Sequence, residues 1–283
     1  MSPLRQKMID TMVLKGHAAS TQESYLYAVT RLAAYYHRPP DQLKVSEIEH
    51  YFLYLLRERK LAPASVRLYV NAVRFLFSQV LERPLQHRPI RYPKQPQRIP
   101  ELLTHSEVHQ VLTYCKNRKQ YTMLALCYGA GLRVSEVVAL HLRDVDSKRD
   151  ILHVRQGKGA RDRELILTQG MLYLLRCYWQ EYRPLDVLFY GRDIQTPIGS
   201  SSVQKAYTRA KRTAGIDKQG GIHALRHAYA THQLEAGMPV YQLQKLLGHQ
   251  NIRTTLRYVH WLPHFKSDGG QGADLVSDLA KQS

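Results

Sequence analysis

The stretch HALRHAYATH, residues 223 to 232, sets His223, Arg226 and His227 together in a helix-like run where a core helix would carry leucines. Those residue types at that spacing suit a metal site, a phosphate site or a solvated surface, and the rest of the chain has to choose among them. Cleaving a phosphodiester without a metal sets the most demanding requirement. Fixed guanidiniums must clamp the oxygens of the transition state, a nucleophile must stand in line, and an acid must protonate the departing oxygen. Arginine suits the clamp because its planar fork donates two parallel hydrogen bonds and stays charged. Candidates for every part occur in the sequence.

Charge favours the phosphate. Forty-one Lys and Arg stand against 23 Asp and Glu, a net +18 over 283 residues, and such an excess marks a partner of dense negative charge, nucleic acid first. No basic tail accounts for it: 16 cations against 7 acids precede residue 100, and 25 against 16 follow. No stretch reaches the ~18 apolar residues that span a bilayer, and MSPLRQKMID lacks a signal-type apolar core, so a cytoplasmic, nucleoid-associated protein is expected. Cys115, Cys127 and Cys177 form no CxxC pair and read as reduced, mostly buried thiols.

The elements that must position the chemistry are mainly α-helical, with one small β-hairpin. Residues 1 to 83 read as a helical bundle. STQE at Ser20 to Glu23 and SEIE at Ser46 to Glu49 fit capping boxes, and the stripes Tyr25, Val29, Leu32, Tyr36 and Val66, Val70, Val73, Phe77 each mark one buried face. Arg67 and Arg74 share an outward face, open to phosphates or to solvent. PLQHRPIRYPKQPQRIP, residues 84 to 100, is a basic linker with Arg88, Arg91 and Lys94. Extended, it would reach roughly 50 Å, either as a strap across a duplex or as a plain solvated connection. Residues 101 to 262 open on a capping box at Thr104 to Glu107, continue helical with a Gly break at 129 to 131, and change period at Ile151 to Arg155 and Glu164 to Thr168, a hairpin with Lys158 near its tip. Helices are expected at 169 to 182, 201 to 213, 224 to 236, 240 to 247 and 252 to 260, stopped by Gly215, Gly237 and Gly248. Lys205, Arg209 and Arg212 form one cationic stripe, suited to a major groove or to water. GAGLRV lacks the third glycine of a dinucleotide loop and QGKGA lacks the hydroxyl residue of a P-loop, so both nucleotide readings are rejected.

Taken in order, GAGLRVSEVVAL with Arg133, GKG with Lys158, HALRH with His223 and Arg226, LLGH with His249 and TTLRYVH with Tyr258 resemble the catalytic set of the tyrosine recombinase (phage integrase) family. The resemblance is strong over residues 101 to 262 and looser over the front bundle, which fits the family's SAM-like core-binding domain. It implies that Tyr258 attacks the scissile phosphate to give a 3′-phosphotyrosyl bond and a free 5′-hydroxyl, on the way to a Holliday junction and without metal, ATP or other cofactor. Arg133 and Arg226 would clamp the nonbridging oxygens, Lys158 protonate the 5′-oxygen, His223 assist the tyrosine's proton, and His249 hydrogen-bond the phosphate. Glu136 would hold Arg133. The partner implied is double-stranded DNA bearing specific sites, bound by a homo-tetramer across two sites.

The metal reading of the opening stretch then falls, since the glutamate of HExxH is missing and no third ligand is spaced near the two histidines. His223 and Arg226 face the phosphate at a helix start, where free amides favour anions, and His227 points elsewhere, either into packing or as a support behind the site. A bundle beginning near Met1 leaves no room for a lambda-type arm-binding domain, and the Lys158 to His223 spacing leaves little for an integron-type inserted helix. A compact Xer-like or transposon-type member of a mobile element fits. In the tail, residues 263 to 283, Ala273, Leu275, Val276 and Leu279 form either a helix that docks on a neighbouring protomer or a frayed end. Two rival functions remain at this stage: a type IB topoisomerase, which shares the chemistry, and a DNA-binding regulator without turnover.

Overall fold

The computed structural model describes residues 2–83, 100–155 and 162–262, and the chain divides into two units, Met1–Arg98 and Ile99–Ser283. Arg88, Arg91 and Lys94 of the linker, Lys158, expected near the hairpin tip, and the tail from 263 onward lie outside the described residues. No helix among the described residues is long and apolar enough to cross a membrane.

In the first unit, helices α1 (Pro3–Leu14), α2 (Ala19–Tyr36), α3 (Val45–Arg57) and α4 (Pro63–Phe75) enclose one core, and α4 runs on into a π-helical turn at Leu76–Val80. Val66, Val70, Val73 and Phe77 are all buried, and they meet Val29 and Leu32 of α2 and Ile48, Phe52 and Leu55 of α3. Tyr25 and Tyr36 close the margin of that core. Two expected capping boxes are absent. α2 starts behind Ala18, which offers no side-chain cap. In α3 it is Glu47 that turns back, accepting the Lys44 amide at 2.8 Å; burial of Leu43 and Ile48 sets the helix entry early and leaves Ser46 inside the first turn.

The second unit begins with the expected box, Thr104 and Glu107 exchanging hydrogen bonds of 3.2 and 2.7 Å at the start of α5 (His105–Thr113). α6 (Arg118–Gly129) and α7 (Val134–Val138) follow, then an antiparallel sheet of β1 (Val145–Asp146), β2 (Ile151–Val154) and β3 (Arg163–Ile166), in that order. The register pairs Val154 with Arg163 and Ile151 with Ile166. Leu152, Val154 and Leu165 turn to the core while their neighbours face out, the alternation a half-buried sheet requires. α8 (Gln169–Tyr182), α9 (Ser200–Thr213), α10 (His223–Glu235), α11 (Val240–Leu247) and α12 (Ile252–Trp261) complete the unit. α6 packs on α8, α9 and α10, and α10 packs on α11 and α12. Gly215, Gly237 and Gly248 do end their helices, at φ of +70°, +88° and +64°. All three thiols are free; Cys127 is fully buried, Cys115 is half-buried against the core, and Cys177 is half-buried.

Candidate active site

The site is assembled around a buried arginine. Arg226 lies on the inward face of α10 between Leu225 and Ala228 and is only 3% exposed. Its Nη1 donates to the Gly131 carbonyl at 2.5 Å and its Nη2 to the Leu247 carbonyl at 2.6 Å. The first carbonyl is delivered by the break after α6. Gly131 has φ +60°, and a Cβ there would stand 2.4 Å from the Tyr229 ring, so only glycine makes this turn. Burial, reinforced by the charge of Arg133, lowers the Arg226 pKa to about 10, which leaves the guanidinium charged at neutral pH.

Arg133 precedes α7, and Glu136 one turn on joins it twice, accepting the Arg133 amide at 2.8 Å and Nη1 at 2.7 Å. The expected pairing is therefore present, but Glu136 is shared. Arg163 of β3 donates Nη1 and Nη2 to both carboxylate oxygens, at 3.0 and 2.9 Å, and Arg226 Nη1 lies 3.8 Å away. Burial alone would raise the Glu136 pKa; the hydrogen bonds and charge of Arg163, and then those of Arg133, outweigh it and hold the carboxyl at about 2. One largely buried carboxylate thus serves three guanidiniums, and positive charge is left uncompensated there.

Tyr258 comes from α12 and is 4% exposed. Its hydroxyl stands 3.1 Å from His227 Nδ1, which corrects the expectation that His227 points away. On a helix, positions 223 and 227 lie on adjacent turns of one face, so the imidazole four residues after His223 reaches the phenol while His223, the first residue of α10, is exposed. Burial first, then His223 and Arg226, lower the His227 pKa to about 4, so its ring is neutral and can accept a hydrogen bond from the phenol. Trp261 packs edge-on against both the His227 and Tyr258 rings. Burial raises the Tyr258 pKa, and the charges of Arg226, Arg257 and Arg133 oppose that rise.

His249 follows the Gly248 stop and lies parallel to the Tyr258 ring, centroids 6.2 Å apart. Its Nε2 is 3.3 Å from Arg226 Nη2 and its Nδ1 is 2.8 Å from the Thr255 hydroxyl. A guanidinium can only donate, so Nε2 accepts and the proton sits on Nδ1. Burial and the arginines lower its pKa to about 4. An arriving phosphate offsets that repulsion and favours a proton on Nε2, the form that can donate to an anion.

The structure thus brings Arg133, Glu136, Arg226, His249 and Tyr258 into one pocket and adds Arg163 and His227. His227 carried the sequence signal of helical spacing. Arg163 carried none, because its partner lies 27 residues away and an arginine in a short strand reads as solvated. Outside the pocket, the expected stripe on α9 is interrupted: Lys205 and Arg212 are exposed, but Arg209 is half-buried and donates to Gln120 at 2.7 Å. Arg67 and Arg74 are exposed on α4.

Among the described residues, His105, His232 and Glu235 bring possible metal-ligand atoms within 4.8 Å of one another. The two imidazoles are stacked with centroids 3.7 Å apart. Two imidazoles sharing a zinc at ~2.0 Å would hold their centroids roughly 5 Å apart, and the Tyr128 hydroxyl already lies 2.9 Å from His232 Nδ1. The trio is a stacked pair on a tyrosine, and its geometry does not suit an ion.

Comparison with known proteins bears on the whole chain. Residues 101–264 match the phage integrase family, and residues 4–87 match the phage integrase N-terminal SAM-like domain. The chain is 40% identical over 262 residues to a protein of Sinorhizobium fredii designated integrase/recombinase y4qK, covering 92% of this chain and 84% of that one. It is 34% identical over 277 residues to the tyrosine recombinase XerA of Thermococcus onnurineus, covering 95% and 94%. Its fold resembles that of the Tn1549 transposon integrase in complex with a circular intermediate DNA, with a TM-score of 0.71 at 16% identity over 99% of both chains.

Proposed function

The chain belongs to the phage integrase family of tyrosine recombinases and is a site-specific DNA recombinase, and on that premise we propose that its second unit cuts and rejoins DNA at Tyr258. The phenol oxygen bonds to the scissile phosphorus as the bond to the 5′-oxygen breaks. The phenol proton passes to His227, with His223 beside it, and Lys158 supplies a proton to the departing 5′-oxygen. Arg133 and Arg226 stabilise the charge that develops on the nonbridging oxygens, and His249, once protonated on Nε2, adds a third donor. The resulting 3′-phosphotyrosyl ester keeps the bond energy for rejoining, so neither ATP nor a metal is required.

What carries the reading is the hydrogen-bonded pocket that joins the Tyr258 phenol, two neutral imidazoles and a buried guanidinium, with Arg133 at its edge. The remaining assignments rest on resemblance and charge. Residues 1–83 and 101–262 both bind duplex DNA, and Arg67, Arg74, Arg88, Arg91, Lys94, Lys205 and Arg212 meet its phosphates. A homo-tetramer holds two sites and passes through a Holliday junction. The chain acts in the cytoplasm at the nucleoid, on a mobile element.

The test begins by selecting the bound sequence from a pool of random duplexes and nicking it near the cleavage position to trap intermediates. The expected product is protein on a 3′ end with a free 5′-hydroxyl, formed in EDTA and without ATP. Site-independent relaxation of any supercoiled plasmid would instead indicate topoisomerase action, and site binding without an adduct would indicate a regulator.

A further inference from the structure

We propose that Arg163 is a positioning residue for this reaction: by saturating Glu136 it keeps that carboxylate from neutralising the phosphate clamp. The proposal rests on reading the pocket as one that cleaves a phosphodiester, and it concerns a residue outside the set that the sequence motifs single out.

All three nitrogens of Arg163 are committed. Nη1 and Nη2 take the two oxygens of Glu136, and Nε donates to the Leu246 carbonyl at 2.8 Å. Its side chain is only 10% exposed, and its stem passes so close to Gly248 that a Cβ there would lie 3.1 Å from Arg163 Cδ. Arg163 therefore braces two parts of the pocket at once. On one side is the carboxylate that orients Arg133. On the other is the end of α11, whose next carbonyl, Leu247, holds Arg226 and which leads directly to His249.

Glu136 is 5% exposed, and a buried carboxylate that loses a partner must find another or suffer a large desolvation penalty. The nearest cation not yet bonded to it is Arg226, whose Nη1 is already 3.8 Å from Oε2. Without Arg163 the carboxylate draws Arg226 off the Gly131 carbonyl and tightens their loose 3.8 Å ion pair into direct hydrogen bonds. A phosphate arriving afterwards meets a displaced and largely neutralised guanidinium. With Arg163 present, Glu136 orients Arg133 and stands 3.8 Å from Arg226, whose hydrogen bonds go to neutral carbonyls and a neutral imidazole, so that its N–H groups stay available to an anion.

A brace that merely supported the fold would make losses at Arg163 and Glu136 add; saturation of the carboxylate makes the second substitution repair the first. The experiment compares wild type, Arg163→Met, Glu136→Gln and the double variant for the rate of adduct formation on the selected nicked duplex and for duplex affinity. Displacement of a clamp by about an ångström costs on the order of 100-fold, so Arg163→Met is expected to slow adduct formation by about that factor with duplex affinity nearly unchanged. Glu136→Gln alone is also slow, because its amide N–H groups oppose those of Arg163. The double variant, in which a neutral amide faces an uncharged methionine and cannot draw Arg226, is expected to recover at least ~10-fold over Arg163→Met. A double variant no faster than Arg163→Met, or an Arg163→Met at the wild-type rate, overturns the proposal. If Arg163→Met does not fold, Arg163→Lys with and without Glu136→Gln carries the same comparison. If wild type forms no adduct, the recombinase chemistry fails and calorimetric binding of inorganic phosphate decides this proposal alone: weaker binding in Arg163→Met restored in the double variant supports it, and equal affinities overturn it.

Discussion

The two units treat charge in opposite ways. In the first, the buried core is made of aliphatic and aromatic side chains, with Arg67 and Arg74 left at the surface. In the second, Glu136, Asp144 and Arg226 are buried. Asp144 accepts the His141 amide at 2.9 Å and Arg155 Nε at 2.6 Å, and Arg226 rests on two carbonyls. Burying ions rarely gains stability over a well-packed apolar core. The lesson of the difference is that the second unit holds guanidiniums buried and fixed, as the proposed reaction requires, whereas the first leaves its cations where water can reach them.

The sharpest way to break that contrast is to remove one buried cation. Arg226→Ala is expected to lower adduct formation by about 10²–10³-fold, the range for losing one preorganised donor to a developing oxyanion, with duplex binding held within a few-fold by the other contacts. Single-turnover kinetics and gel shift on the same duplex check both parts. A loss of binding equal to the loss of rate would mean that Arg226 is an ordinary contact.

A second contrast uses glycines. Gly131→Ala combines a left-handed φ with a Cβ 2.4 Å from the Tyr229 ring, whereas Gly16→Ala in the first unit, at φ +67°, has nothing within 4 Å. Strain alone costs ~1–2 kcal/mol, which is expected for Gly16→Ala. Gly131→Ala adds the clash and should exceed it by at least ~1 kcal/mol, read by denaturant unfolding. It should also slow adduct formation, since it moves the carbonyl that holds Arg226.

How far the sequence disclosed this arrangement differs between the units for the same reason. The stripes of α2 and α4 are periodic and local, and Val66, Val70, Val73 and Phe77 could be read directly. α1 could not: it buries only Met8 and Met12, and its signals are a single serine cap and a proline at its start. The glycine stops and the β2–β3 hairpin were legible because positive φ and strand alternation leave local marks. The pocket was legible only as a series of motifs in order. That Glu136 serves Arg163 as well as Arg133, that His227 takes the phenol, and that Arg209 is spent on Gln120 are consequences of packing between distant segments, which no local spacing encodes.

Acid offers a third, smaller discrimination. His227 and His249 have folded pKa values of about 4, below the ~6.5 of an unfolded histidine. Groups lowered in this way contribute stability that is complete above pH ~6.5 and is lost as pH falls toward 4. Hydrogen exchange should show the amides of α10 and α12 losing protection over that window, less so in His227→Gln. Unchanged protection between pH 6.5 and 4 would contradict the buried, neutral imidazoles.

The smallest effects belong to the first unit. Arg67→Ala and Arg74→Ala should each leave stability within ~0.5 kcal/mol, weaken duplex binding a few-fold, and reduce the slope of log affinity against log salt by ~1. A change in adduct chemistry at saturating DNA would show that the surface arginines do more than hold the duplex.

The account depends most on Tyr258 being the atom that joins DNA. Wild type and Tyr258→Phe, incubated with the selected nicked duplex and run on a denaturing gel, decide it. The expected result is a DNA-linked protein band for wild type and none for Tyr258→Phe, although the variant still shifts the duplex under native conditions; a covalent band that persists in Tyr258→Phe would contradict it.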